Sequence, residues 1–204
     1  MKKFELTSET KINIFGKKLF RIKALISFGD VEAGETGGWV EKEGNVNQSG
    51  DAWVYGDAMV SGDAMVSGDA MVYGNAMVYG NAMVYGNAMV SGDAMVYGNA
   101  MVSGDARVYG DAMVSGDARV YGDAMVSGDA RVYGDADYTT IHGFGTQFRT
   151  TTFFRCKDKK VRVACGCFFG TIPEFREQVK NTRKGKIAEE YLMIADLMEK
   201  HFEK

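Results

Sequence analysis

From residue 51 to residue 136 the apolar positions recur with a period of six. Alanine occupies position 52 and every sixth position up to 136, and valine occupies position 54 and every sixth position up to 132. One residue separates the alanine from the valine, so both side chains point to the same face of a short strand. The Gly-Asp or Gly-Asn that follows favours a turn, because these residues tolerate positive φ. The pattern predicts fourteen short strands joined by tight turns.

Units of six residues leave no room for a helix or a long crossover between strands. The chain must therefore coil, and each strand must pair with the strand one coil later. Alanine and β-branched valine fill a narrow interior. Arg107, Arg119 and Arg131 occupy the position between them, and because burying an unpaired guanidinium is costly, that position must face solvent. The expected fold class is mainly β, a single-stranded β-solenoid.

The unit Val-Ser-Gly-Asp-Ala-Met resembles the hexapeptide repeat of left-handed β-helix proteins. That resemblance implies a three-sided coil built from three hexads, and we favour a left-handed β-helix. A right-handed three-sided solenoid of the bactofilin type and a flattened two-sided coil of two hexads stay open. The alternation of serine and tyrosine from Ser91 to Tyr133 has twice the hexad period, although recent tandem duplication explains it equally well.

The two ends of the chain have different patterns and predict caps for the solenoid. Residues 1–50 predict a β cap, with a hairpin over 4–27 that turns near Gly16, and with Trp39 and Trp53 placed to plug the first coil. A solenoid exposes unpaired strand edges at both ends, so such caps are needed to block polymerisation. We expect the solenoid itself to span residues 51–136.

Residues 137–204 predict a small C-terminal α+β domain. Its strands cover Phe153–Arg155 and Val161–Cys165, and a capping box, Thr171–Glu174, begins a helix that runs to about Lys180. A second helix over about 186–201 has an apolar face that should pack on the hairpin or on the solenoid end.

The outward positions of the solenoid are unusually apolar, with ten methionines before the valines and eight tyrosines after them. Such walls exceed the apolar patch that monomers usually expose. We therefore expect a homo-oligomer, a trimer or a dimer. There are two alternatives. The apolar surface could be a tolerated product of slippage duplication of the repeat, or it could form a groove for an aromatic ligand. The predicted interface residues are Met77, Tyr79, Met83, Tyr85, Met95, Tyr97, Tyr109 and Tyr121.

The net charge of −3 conceals an acidic solenoid and a basic tail. Residues 51–136 contain eleven aspartates and three arginines, whereas residues 137–204 contain thirteen basic and nine acidic residues. The basic tail, with two aromatic neighbours, could bind a phosphate-bearing small molecule or an acidic host protein; the alternative is a solvated basic face. Duplex DNA is an unsuitable partner beside an acidic rod. The candidate binding residues are Arg149, Phe153, Phe154, Arg155, Lys157, Lys159, Lys160, Arg162, Arg183, Lys184 and Lys186.

Few residues of the chain suit catalysis or metal binding. Hexapeptide acyltransferases and related carbonic anhydrases need histidines that the repeat lacks, so we expect no enzyme and no cofactor. The aspartates at the turns lack the known calcium repeat and are expected to be turn formers. The candidate metal ligands are Cys156, Cys165, Cys167 and His142. Their spacing is atypical of zinc sites, so we predict packed thiols and no metal.

Several segments together resemble a group of phage and prophage proteins of mostly unassigned function. They are Phe28–Val31, Gly37–Glu43, the hexads, Cys165–Phe168, Gly170–Thr171 and Glu174–Phe175. The resemblance implies a capped solenoid in a bacterial host cytoplasm and brings no catalytic residues. We expect no membrane segment, because no stretch of the sequence approaches the ~18 to 20 continuous apolar residues that span a bilayer. It suggests counter-defence by sequestering a nucleotide-like signal or a host protein. A bactofilin-like structural polymer and an unfamiliar enzyme that uses the tail cysteines and His142 are the alternatives.

Overall fold

The computed structural model describes residues 2–203. Three strands precede the run of two-residue strands and four strands follow it, and two helices come after these. The strands of the N-terminal part are β1 Phe4–Ile12, β2 Lys18–Ala24 and β3 Thr36–Val40. The repeat forms β4 Trp53–Val54, β5 Met59–Val60, β6 Met65–Val66, β7 Met71–Val72, β8 Met77–Val78, β9 Met83–Val84, β10 Met89–Val90, β11 Met95–Val96, β12 Met101–Val102, β13 Arg107–Val108, β14 Met113–Val114, β15 Arg119–Val120, β16 Met125–Val126 and β17 Arg131–Val132. The tail forms β18 Tyr138–Phe144, β19 Arg149–Arg155, β20 Val161–Cys165, β21 Phe168–Thr171, α1 Ile172–Thr182 and α2 Gly185–Phe202.

The repeat coils into three flat walls of parallel strands. The first wall is β5-β8-β11-β14-β17, the second is β4-β7-β10-β13-β16 and the third is β6-β9-β12-β15. Within a wall Met77 pairs with Met95 and Val78 with Val96, so one coil takes three hexads. The predicted three-sided β-solenoid is confirmed, and the two-sided coil of two hexads is wrong. Left-handedness stays a prediction.

The interior of the solenoid contains the residues that the hexad pattern placed there. Every alanine from 52 to 130 and every valine from 54 to 132 is at most 1% exposed. The corner glycines from Gly50 to Gly128 have positive φ, and coils approach so closely there that a Cβ on Gly80 would lie 3.1 Å from the nitrogen of Gly98. Only glycine fits that stacked corner, which explains why it never varies along the repeat.

The N-terminal cap extends the first wall. Strand β3 pairs in parallel with β5, and the antiparallel hairpin β1-β2 continues the same sheet. Trp53 is fully buried against the rings of Phe4 and Phe28, so it closes this end as predicted. Trp39 does not plug the coil. It lies in register with Met59, and its ring is covered by the side chains of Lys11 and Arg21.

Side chains of the N-terminal cap satisfy the carbonyl groups that the lowest coil leaves unpaired. Lys3 Nζ donates to the carbonyls of Gly50 and Ala52, at 3.0 and 2.8 Å. Asn45 Nδ2 donates to the carbonyls of Gly62 and Ala64, at 3.1 and 2.8 Å. A guanidinium donates at the remaining corner, from Arg21 to Gly56. Donor side chains therefore cover all three corners of the lower edge.

The upper end of the solenoid is capped by acceptors. The amide of Arg119 donates to Asp135 Oδ1 at 2.9 Å, and the amide of Met125 donates to Thr152 Oγ1 at 3.0 Å. The amide of Tyr133 likewise donates to an oxygen of Asp137, at 3.0 Å. The cap side chains therefore donate at the lower end and accept at the upper end. These bonds occupy backbone groups that could otherwise pair with a strand of another chain.

The tail domain stacks on the upper end as a four-stranded sheet covered by two helices. The sheet order is β18-β19-β20-β21, so it holds two strands more than the pattern predicted. The capping box is confirmed: Thr171 accepts from the Glu174 amide, and Glu174 accepts from the Thr171 amide. The apolar face of α2 packs on α1 and on the sheet, through Tyr191, Ile194 and Met198. No helix within residues 2–203 is long and apolar enough to cross a membrane.

The buried ammonium of Lys3 should make stability depend on pH. Burial lowers the pKa of Lys3 from 10.5 to about 8, although Asp51 and Asp69 oppose the shift. Between pH 8 and 10.5 the unfolded chain binds more protons, so this residue raises the free energy of unfolding as pH rises, by about 1–2 kcal/mol. Urea unfolding of the natural chain and of Lys3→Met across this window should show the stability difference growing with pH. A stability difference that stays constant across this pH range would mean that the ammonium of Lys3 is solvated and not buried.

Candidate functional site

The candidate basic residues form two groups at opposite ends of β19. Arg149 begins that strand and lies near Arg183, which caps α1. Lys184 is the N-cap of α2, and Lys186 lies in the first turn of that helix. Arg155 ends the strand. The second group contains Arg155, Lys157, Lys159, Lys160 and Arg162 around the β19–β20 turn. The single basic surface that the sequence predicted is therefore wrong, because a seven-residue strand spans about 20 Å.

Phe153 and Phe154 do not belong to any binding surface. Both are fully buried, Phe154 with the solenoid core and Phe153 with the two helices. Strand β19 is covered on both faces, so its successive side chains enter two different cores. The expectation that these rings flank a ligand is wrong.

Of the first group, Arg149 and Arg183 line a cleft of about 330 Å³ between the sheet and the two helices, and Lys184 and Lys186 do not. We name it the arginine cleft; its lining residues are Thr146, Gln147, Arg149, Cys165, Arg183 and Tyr191. A narrower pocket adjoins it, with Cys167 and Phe168 in its wall. Arg149 reaches the cleft from the start of β19, and Arg183 reaches it from the end of α1.

Arg149 and Arg183 differ from most arginines of the tail in lacking a carboxylate partner. Arg149 donates to the side-chain oxygen of Gln147 at 2.8 Å, and Arg183 donates to the carbonyl of Thr182 at 3.2 Å. Neither makes an ion pair within residues 2–203, whereas Arg155, Arg162 and Arg176 do. Two guanidiniums without carboxylate partners thus line one cleft, where both can donate hydrogen bonds to an anion.

Tyr191 supplies a neutral hydroxyl at the floor of the cleft. Its hydroxyl donates to the carbonyl of Phe144 at 3.2 Å. Burial and the neighbouring Cys165 raise the pKa of Tyr191, while Arg183 and Arg149 oppose the rise. Cys165 accepts a hydrogen bond from Thr151 at 3.1 Å. The hydroxyl therefore stays protonated at neutral pH, and it can accept a further hydrogen bond from a ligand.

Two glycines in turns beside the cleft have positive φ, a backbone conformation that by itself favours glycine. Gly166 has a φ of +60°, and a Cβ there would collide with a guanidinium nitrogen of Arg149. Gly145 has a φ of +74°, and a Cβ there would collide with the hydroxyl of Tyr191. Both glycines stand outside the repeat, where no hexad corner requires them.

The second basic group lies in a groove of mixed charge. The groove, of about 440 Å³, also contains Glu199 and Glu203. Arg155 is bonded to the carbonyl of Phe202 at 2.8 Å and lies 3.5 Å from Asp137. Arg162 is paired with Asp158. Arg155 and Arg162 are thus paired with carboxylates, whereas Lys159 and Lys160, which also line the groove, make no ion pair within residues 2–203. Because Glu199 and Glu203 would repel an anion there, the groove is a poorer anion site than the arginine cleft.

The candidate metal ligands are not brought together. Cys156 is buried beside the solenoid, and burial together with Asp129 raises the pKa of its thiol to about 12. Cys167 is exposed. His142 lies on β18, not in a linker as predicted, and contacts Thr150 Oγ1 at 3.2 Å. Over residues 2–203 no three His, Cys, Asp or Glu side chains are grouped to hold a metal ion.

The predicted interface residues lie on three different walls. Met77, Tyr79, Met95 and Tyr97 are on the first wall, where the two tyrosine rings stack at 4.9 Å. The third wall carries Met83, Tyr85 and Tyr121, and the second wall carries Tyr109. The eight residues therefore do not form one continuous surface, because consecutive hexads turn to different walls; which wall takes part in an oligomer stays a prediction.

The corner aspartates and asparagines form ladders along the rod. Asn81 Nδ2 donates to Asn99 Oδ1 at 3.1 Å, and Asn99 donates in turn to Asp117 at 3.0 Å. The same bond joins Asn87 to Asp105 at 2.9 Å. Asparagine thus bonds the corner of one coil to the next, and where it replaces aspartate it removes a like-charge contact.

Comparison with known proteins concerns the repeat. The family model described as YdcK beta solenoid repeat matches residues 52–68, 70–84, 76–92, 82–96, 94–108, 106–122 and 118–134. A comparison with curated proteins finds no match. The matched segments lie inside the solenoid, and both caps and the arginine cleft lie outside them. The chain is thus a repeat β-solenoid protein whose coils are similar to the YdcK beta solenoid repeat.

Proposed function

We propose that this chain is a non-enzymatic binding protein that holds a phosphate-bearing anion in the arginine cleft. The unpaired guanidiniums of Arg149 and Arg183 carry the proposal. Arginine donates in a planar fork that matches phosphate oxygens, and such charge-assisted bonds are strong. A cleft of about 330 Å³ has the size of sites for small molecules.

The groups in the cleft suit binding better than turnover. Both guanidiniums stay charged at any physiological pH, and the Tyr191 hydroxyl stays protonated. His142, the histidine considered for catalysis, does not line the arginine cleft; it lines a neighbouring pocket that shares Arg149 with the cleft and also contains Asp105 and Asp123. We therefore favour capture of the anion without chemical change.

The solenoid is proposed to act as a scaffold that assembles into a homo-oligomer and presents one cleft per copy. A β-solenoid scaffold suits either a structural or a binding protein. We favour binding over a bactofilin-like polymer because hydrogen-bonding groups at both ends of the rod are occupied by cap residues, Asn45 and Asp135 among them. Filaments in electron micrographs would favour the polymer instead.

The resemblance to phage and prophage proteins supports a finer version of this proposal. In a bacterial host cytoplasm, the captured anion would be a nucleotide-like signal, and its removal from solution would counter a host defence. A host protein with an acidic surface is the second candidate for the same cations.

Calorimetric titration of the full chain with adenosine diphosphate tests the binding proposal. Arg149→Ala and Arg183→Ala should each weaken binding about tenfold to a hundredfold, because each removes charged hydrogen bonds to phosphate. Lys157→Ala removes an exposed cation from the other basic group and should leave the dissociation constant unchanged. Equal losses in all three variants, or no heat with the natural chain, would contradict a specific site.

A further inference from the structure

The middle of the solenoid forms a belt almost free of charge. Residues 70–104, about two coils, contain Asp93 and no other ionisable acid or base apart from tyrosine. Aspartates resume below this belt, and aspartates with three arginines resume above it. A belt of methionine and tyrosine between charged coils has the composition of an interface core with a charged rim.

The third wall is the most accessible part of this belt. The hairpin tip reaches the first wall, where the Phe15 ring lies 4.7 Å from Tyr79. The β18–β19 hairpin reaches the second wall, where Phe148 shares a pocket with Arg107. On the third wall Tyr85 is 38% exposed, and among the described residues of the belt it is the one large apolar side chain that is exposed. Met65 and Tyr121, which are 39% and 63% exposed, continue the same wall below and above the belt.

The outward side chains of the third wall alternate in size along the rod. The residues after the valines are Ser67, Tyr85, Ser103 and Tyr121, in coil order. A twofold axis between β9 and β12, along the strand direction, places each tyrosine of one copy opposite a serine of the other. On the first wall the same operation would set Tyr79 against Tyr97, ring against ring.

We infer that two copies of this chain pack their third walls face to face, with the rods antiparallel and the twofold axis between β9 and β12. This inference rests on the proposed homo-oligomeric scaffold and specifies its interface. Met83 then faces Met101 of the second copy, and Tyr85 fills the recess above Ser103 of the second copy. The interface is isologous, as closed dimers require.

Charge supports the antiparallel orientation. Arg119 is exposed and lies on β15, the last strand of the third wall. In the antiparallel pair it lies opposite Met65 of the second copy, and the corners on either side of that methionine are Asp63 and Asp69. In a parallel pair Arg119 would instead face Arg119 of the second copy. Three of the four corners that flank β9 and β12 are uncharged, namely Asn81, Asn87 and Asn99, so repulsion across the centre is small.

The interface is small, because a wall of four strands extends about 19 Å along the rod. We therefore expect a dissociation constant of order micromolar, at the weak end for specific protein pairs. Sedimentation equilibrium of the full chain between about 1 and 100 μM should resolve a monomer–dimer equilibrium.

Charge exchange tests the register. Met83→Glu and Met101→Lys should each weaken dimerisation about a hundredfold, because each buries unpaired charge at the interface centre. Combining both in one chain sets glutamate against lysine across the antiparallel interface and should restore the dimer. The same change on the first wall, Met77→Glu, should leave the dissociation constant unchanged.

Three outcomes would overturn the inference: a natural chain that stays monomeric at 100 μM, a dimer or trimer that Met77→Glu weakens as much as Met83→Glu, or a double variant that does not reassociate. Far-ultraviolet circular dichroism confirms that each variant is folded. Nucleotide titration of the Met83→Glu monomer separates this inference from the proposed function, because the arginine cleft lies within one chain and should bind in the monomer.

Discussion

Replacing Ala94 by leucine should lower the free energy of unfolding by about 3 kcal/mol or more. Ala94 is fully buried on the narrow axis of the solenoid, with Ala76 and Ala112 in the coils below and above it. The larger side chain cannot turn outward without reversing the strand, and it cannot enter without forcing three coils apart. Urea unfolding followed by circular dichroism measures the loss.

The neighbouring residue provides the matched control. Met95 is half-buried and points outward from the same strand, so Met95→Leu exchanges side chains of similar volume and should change stability by less than about 1 kcal/mol. If leucine were tolerated at 94 and disruptive at 95, the assignment of inner and outer faces would be reversed.

Replacing Asn45 by alanine should lower the free energy of unfolding by about 3 kcal/mol. Asn45 is fully buried, and its amide is the hydrogen-bond donor for the carbonyls of Gly62 and Ala64. Its oxygen accepts from the amide of Lys42 at 2.9 Å. Alanine would leave two buried carbonyls without partners at the lower end of the rod.

An exposed asparagine of the corner ladder is the control for this variant. Asn99→Ala loses side-chain hydrogen bonds to Asn81 and Asp117 at the surface and should change stability by at most about 0.5 kcal/mol. Similar unfolding midpoints for the two variants would mean that the side chain of Asn45 does not cap the lowest coil.

The hexad pattern predicted the solenoid because every unit repeats the same local choice. Ala and Val two residues apart define one buried face, and the invariant Gly defines a stacked corner. The number of walls was harder to predict from the sequence, because identical hexads fit two-sided and three-sided coils equally well. Pairing between residues eighteen apart decides the question, and a period of six contains no such information.

The sequence identified Arg149 and Arg183 among the candidate binding residues, but it could not predict that these two share a cleft, because they are distant in sequence. Arg149 and Arg183 meet only after the sheet and α1 have folded, and Asn45 reaches carbonyls from the next coil. The burial of Phe153 and Phe154 did have a sequence signal. Two adjacent large apolar residues in a strand indicate that both faces are covered, here by the solenoid on one side and the helices on the other.

Native mass spectrometry of the full chain with adenosine diphosphate tests most directly whether binding resides in the arginine cleft and not on the walls. The natural chain should carry one nucleotide per copy, on monomer and dimer alike. The double variant Arg149→Ala, Arg183→Ala should dimerise without nucleotide. Nucleotide retained by this variant, or absent from the natural chain, would contradict the proposed function.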